Sequence, residues 1–184
     1  NEDLKEIFLL IFPEFKYLNR IDKLSKIFYQ TKLDKKILLA VLLIDETNNH
    51  EYFSHKYNVS NNLKDSLNLF KKNYENFKDN KNFFSKDLKK NIFYFGKEHL
   101  KALNIIHFSS NKKYLIQDYL KIYNVIDKIS FPKFPFDGNY LKNRGIKEGA
   151  AIGKILKLLK EEWINNNFKV SDQKILKIIE SQSD

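Results

Sequence analysis

The chain contains no cysteine, which excludes disulfide staples, thiol nucleophiles and cysteine-held zinc or iron–sulfur centres. Arginine is nearly absent as well, with Arg20 and Arg144 as its two examples. Proline occurs three times, at Pro13, Pro132 and Pro135, so few places force a helix to stop. No apolar run approaches the roughly 18 residues needed to cross a bilayer, and there is no signal-peptide pattern. The expected setting is cytoplasmic, with no membrane partner. Strand signals and internal repeats are also missing. The start at Asn1 rather than Met is read as the edge of a piece of a longer polypeptide.

What is present is a helical, basic chain. Its 184 residues, 42% of them hydrophobic, suffice for one substantial domain or two small ones. The formal net charge is +10, and it is unevenly placed: residues 1–50 balance to zero, whereas 51–110 and 111–184 each carry +5. A basic surface over the later two thirds is what polyanion binding requires. The competing explanation is compositional, since abundant Lys, Asn, Ile and Phe with scarce Arg and Ala fit an AT-rich genome.

Periodicity predicts an all-α fold, an irregular multi-helix body (residues 1–130) followed by a small helical tail (131–184). Residues 2–12 read as a helix stopped by Pro13, and 17–30 as a second helix. Residues 33–45, nearly all apolar after Lys36, read as a buried central helix capped by Asp34. Residues 46–60 are a loop or short helix. Ser60 or Asn61 caps a helix with Leu63, Leu67, Phe70 and Tyr74 inward. Asn76 to Asn82 looks least structured, and 83–95 is short and helical. Beyond Gly96 the apolar spacing resumes, and Ser109-Ser110-Asn111 caps a helix to about Ile129 with Tyr114, Leu115, Tyr119, Ile122 and Ile126 as core. The prolines at 132 and 135 mark the boundary with the tail, whose last helix, capped by Ser171, carries Ile175, Leu176, Ile178 and Ile179 inward.

The tail holds the most informative stretch, Phe134 to Ile164. A short helix, a reversal at Gly145 and a longer helix from near Glu148 form a glycine-rich helix-turn-helix segment. Ile152, Ile155, Leu156, Leu159 and Trp163 share one face of the long helix. Gly149 and Gly153, one turn apart, both cost helix propensity; close approach by another helix or an RNA backbone is the expected compensation. Arg144 and Lys147 bring positive charge to a helix start whose free N–H groups suit a phosphate. The candidate RNA-binding residues are therefore Arg144, Lys147, Gly149, Lys154 and Lys157, with Lys97, Lys101, Lys112 and Lys113 as a second patch. The bland alternatives are a structural turn and solvated lysines. The four histidines lack metal-site spacing and read as structural or surface groups. Asp45-Glu46 reads as a helix end entering solvent.

The order Phe136-Asp137-Gly138, Leu141, Gly145-Ile146-Lys147-Glu148-Gly149, Ile152-Gly153, Leu156 and Glu162-Trp163-Ile164 resembles the tail of bacterial CCA-adding tRNA nucleotidyltransferases of the poly(A) polymerase family, in their alphaproteobacterial form. The stretch from Tyr94 to Asp127 resembles the helical body before that tail. The resemblance implies a body and tail that hold the acceptor and T arms of tRNA, while a catalytic head in the parent polypeptide adds nucleotides to the 3′ end. Mg2+ with ATP and CTP would serve that head; no cofactor is expected on this chain. The paired carboxylates, the glycine-serine turn and the Glu-Asp-x-x-Arg motif of such enzymes are absent, so no catalytic centre is expected here. Two other classes stay open: a stand-alone helical nucleic-acid-binding module, and a non-catalytic helical scaffold.

Overall fold

A computed structural model describes residues 2–27, 33–146 and 149–181. Among them the secondary structure is entirely helical, with no strand. The chain divides into two compact units, Asn1–Lys128 and Ile129–Asp184.

In the first unit, α1 (Glu2–Ile11) opens with Glu2 and Asp3 at the favourable end of the helix dipole. It stops before a 3-10 turn at Pro13–Phe15. The second helix is shorter than its periodicity predicts: α2 spans Arg20–Leu24, residues 17–19 before it and 25–27 after it are turns, and 28–30 lie outside the described residues. The segment Lys35–Leu43 forms α3, with the Asp34 carboxylate accepting from the Ile37 N–H. After α4 (Asn49–Lys56) comes the long α5 (Asn61–Asp79), capped by Ser60. Asn76 to Asp79, expected to be irregular, thus belong to a helix. Turns then lead to α6 (Leu88–Phe95), which starts five residues later than expected. Two longer helices, α7 (Lys97–Ser110) and α8 (Ile116–Lys128), complete the unit.

The hub is α7, which packs against α2, α3, α5, α6 and α8. Leu100, Leu103, Ile105, Ile106 and Phe108 are all buried, and so are Asn104 and Ser109. Burial around most of its circumference means no single apolar stripe marks it out in sequence. The apolar α3, expected at the centre, buries Ala40, Val41 and Leu43 while Ile37, Leu38, Leu39 and Leu42 stay half-exposed. Leu115 is another correction. It precedes α8 and is 59% exposed, whereas Tyr119 and Ile126 are fully buried.

Buried polar groups tie the helices together. The Asn104 amide donates to the Tyr119 carbonyl at 3.0 Å and its oxygen accepts from the Tyr114 hydroxyl at 2.8 Å, joining α7 to α8. Arg20 Nη1 donates to the Val41 and Ile44 carbonyls, both at 2.7 Å, satisfying acceptors that the end of α3 leaves open.

In the second unit, α9 (Gly138–Lys142), α10 (Ala150–Asn165) and α11 (Asp172–Glu180) enclose Leu141, Ile155, Leu159, Ile175 and Ile179. The proline-bearing entry packs against them: Phe134 meets Trp163 edge-on at 5.4 Å and Phe131 meets Phe168 at 5.1 Å. Leu176, expected inward, is 53% exposed.

Arg20→Met keeps the apolar stem but removes both bonds to α3. It is expected to lower unfolding stability by about 3–6 kcal/mol, from two bonds at the roughly 1.5–3 kcal/mol typical of a charged hydrogen bond, as read from urea denaturation; an unchanged midpoint would show that α3 needs no such cap.

Candidate nucleic-acid interface

In the second unit, Asp137 caps α9 through the Tyr140 N–H at 2.8 Å. The chain then turns at Gly145, whose φ of +85° is left-handed. Arg144 is exposed, its guanidinium 3.8 Å above the Tyr140 ring. Lys147 and Glu148 lie outside the described residues, so Lys147 has no assigned position. Gly149 is not in the helix, contrary to expectation. It is the residue before α10, with φ +126°, and so carries no cost of helix propensity. Gly153 does sit within α10. A side chain placed there, or at Gly145 or Gly149, would meet nothing within 4 Å. The expected close approach of another helix at Gly149 and Gly153 is therefore not found among the described residues, although Ile152 between them packs on the core and lies near Gly138 of α9.

Lys154 and Lys157 are exposed on α10 one turn apart. Lys160 follows them, with Glu161 exposed beside it. Ile155, Leu159 and Trp163 fix the roll of the helix by burying its other side, and that burial turns the two lysines outward.

The second expected patch divides. Lys101 Nζ ion-pairs with Asp127 at 2.8 Å and Glu98 at 3.2 Å, and its side chain is only 12% exposed. The Asp127 hydrogen bond raises its pKa. Lys97 Nζ donates to the Asp127 carbonyl. Both lysines therefore clamp the start of α7 to the end of α8. Lys112 and Lys113 are exposed in the turn before α8, where the Lys113 N–H donates to the Asn111 side chain at 3.0 Å.

Sequence reasoning missed a cleft of about 820 Å³ in the first unit, lined among others by Tyr17, Arg20, Tyr74, Phe77, Lys81, His107 and Lys112. Its residues come from segments far apart in the chain, and Lys78 and Lys81, three residues apart, are the one local signal. Asp45, at its edge, is buried rather than solvated. Its carboxylate pairs with Lys16 at 2.8 Å and accepts from the Thr47 N–H and hydroxyl. Burial alone would raise its pKa, but Lys16 and Thr47 outweigh that and bring it down to about 2. A carboxylate so engaged stays ionised and serves structure. Glu46 is exposed and paired with Lys78.

Two of the four histidines, His99 and His107, pack against aromatic rings. His99 stacks on Phe70 at 4.9 Å, with Nε2 2.9 Å from the Asn73 amide. His107 lies between Phe77 at 4.2 Å and Tyr114 at 4.4 Å. Burial pushes both imidazoles down to about 4, with Lys23 adding to the effect at His107. Among the described residues no group of three or more acidic or histidine side chains is placed to hold a metal ion, and no helix is long and apolar enough to cross a membrane.

Comparison with known proteins returns no matching family model, no matching curated protein and no matching solved structure. This corrects the labels drawn from the sequence. Nucleotidyltransferase, CCA-adding enzyme, poly(A) polymerase family and cytoplasmic protein have no match to carry them, and they are withdrawn as descriptions of the chain. The all-α character stands.

Depressed histidine pKa values have a stability consequence. Between about 4 and the ordinary 6.5 the folded protein keeps both rings neutral while the unfolded chain takes up protons. Their contribution is fully present above pH 6.5 and is lost as pH falls towards 4. The urea midpoint is expected to drop across that window, and less steeply in His107→Gln; equal slopes would show that His107 titrates normally when folded.

Proposed function

We propose that the chain is a helical RNA-binding module that grips a folded RNA of the tRNA acceptor/T-arm type. It holds that RNA for chemistry carried out by a catalytic unit elsewhere in a parent polypeptide. The observation that carries the reading is the start of α10. There Lys154 and Lys157 point outward, Arg144 stands exposed after α9, and the space over Gly149 and Gly153 is open. In this reading α9, the Gly145 turn and α10 form a glycine-rich helix-turn-helix whose tip meets phosphate.

The physical logic follows from RNA geometry. An A-form helix hides its base edges in a deep major groove and offers phosphates and 2′-hydroxyls instead, so shape and charge do the recognising. Lysines one turn apart suit that backbone. Glycines without side chains let it come close, and the N–H groups at the start of α10 have no acidic residue in the first turn to compete for them. The packed aromatic cluster of Phe134, Trp163 and Phe168 keeps the basic face rigid, which limits the ordering entropy lost on binding.

The test is fluorescence anisotropy with a labelled tRNA. Lys154→Glu with Lys157→Glu is expected to weaken binding about 10-fold or more and to lower the salt slope by roughly 1.5–2, the share of two phosphate contacts. Duplex DNA of equal length is expected to bind more weakly than tRNA. Unchanged affinity in a folded variant overturns the reading, and equal affinity for DNA favours a general nucleic-acid module.

Gly153→Ala gives an independent check. It is expected to stabilise α10 by up to about 1 kcal/mol from helix propensity, seen in urea denaturation, while weakening tRNA binding by crowding the approach to the helix. Tighter binding would place the RNA elsewhere.

A further inference from the structure

The 820 Å³ cleft of the first unit does not end at its own walls. It shares Phe77, Lys81 and His107 with a neighbouring cleft of 470 Å³, and Lys112 with another of 330 Å³. The three adjoin to make one path across the unit. Lys121, Lys81, Lys112 and Lys26 mark it out in that order. All four are exposed, and none of their ammonium groups forms an ion pair or hydrogen bond with the described residues. That separates them from Lys16, Lys56, Lys71, Lys78 and Lys101, each of which pairs with a carboxylate.

Acidic groups do little to offset the path. Asp45 and Glu46 are neutralised by Lys16 and Lys78, which leaves Asp118 as the one unpaired carboxylate lining it. The walls between the cations are aromatic: Phe77, His107 and Tyr114, with Phe84 further along. The His107 ring packs between Phe77 and Tyr114 and is uncharged near neutral pH, so it adds an apolar wall and no charge.

We infer that this path is a binding groove for single-stranded nucleic acid, in which Lys121, Lys81, Lys112 and Lys26 track the phosphates while the intervening rings stack unpaired bases. Spaced cations interleaved with aromatic faces are the pattern that holds a strand without reading its sequence. The path continues beyond the main cleft on two sides, which favours a strand over a free mononucleotide. An acidic peptide would satisfy the lysines but leave the ring walls unused. The inference takes its ligand class from the RNA-binding reading above, but it rests on different residues.

The experiment measures anisotropy with labelled octauridylate and with a blunt-ended RNA hairpin. Lys81→Glu with Lys112→Glu is expected to weaken octauridylate binding about 10-fold and to leave the hairpin within about twofold, since two of the strand's phosphate contacts are lost. The milder Lys81→Gln with Lys112→Gln should shift it the same way by about threefold, guarding against a folding defect. Lys154→Glu with Lys157→Glu should do the reverse. Octauridylate binding that ignores the Lys81 and Lys112 changes overturns the groove, as does displacement by deca-glutamate as effective as by unlabelled octauridylate. Hairpin binding without octauridylate binding removes the groove and spares the proposed function. The opposite result removes the proposed function and spares the groove.

Discussion

A helix buried on most of its circumference cannot leave any of its polar side chains unmatched, and α7 is such a helix. Asn104 has no contact with solvent, and an unpaired amide there would cost about 1–3 kcal/mol. Its amide donates to the Tyr119 carbonyl of α8, and its oxygen accepts from the Tyr114 hydroxyl in the turn before that helix. His99 and His107 are met in turn by α5, through Asn73 and Phe77. The packing of α5 and α8 on α7 supplies all these partners together. The apolar contacts of α7 favour collapse in general, while its polar groups select this packing.

The same logic separates two populations of lysine. One population holds the scaffold: Lys101 clamps α7 to α8, Lys71 donates to the Asp45 carbonyl at 2.6 Å, and Lys56 pairs with the buried Glu14 at 2.7 Å. The other comprises Lys154 and Lys157 on α10 and Lys26, Lys81, Lys112 and Lys121 along the clefts of the first unit, all exposed. Net charge counts both alike, yet a lysine already paired with a carboxylate offers little to a phosphate. The formal +10 therefore exaggerates what a polyanion meets, and the placement of the unpaired cations carries the functional meaning.

Much of the helical layout was legible. Asp34, Ser60 and Ser171 each cap a helix as expected because a cap needs only a short polar side chain and a free N–H three residues on. The apolar face of α10 followed from spacing alone. The hub did not, because the uninterrupted run in α3 drew attention from α7, whose buried Asn104, Ser109 and half-buried histidines look like surface residues in a linear reading. At the candidate site, the outward direction of Lys154 and Lys157 was legible from the buried side of their helix. The commitment of Lys97 and Lys101 to Asp127 was not, since their partner lies 26 or more residues away.

Sequence by itself determined that this chain is helical, basic and free of thiol chemistry, because composition, caps and periodicity act over a few residues. Tertiary structure decided which helix became the centre, which lysines were spent on carboxylates and where a groove opened between distant segments. Those outcomes depend on which groups meet across the fold. Pairings of that kind leave no local pattern in the order of residues.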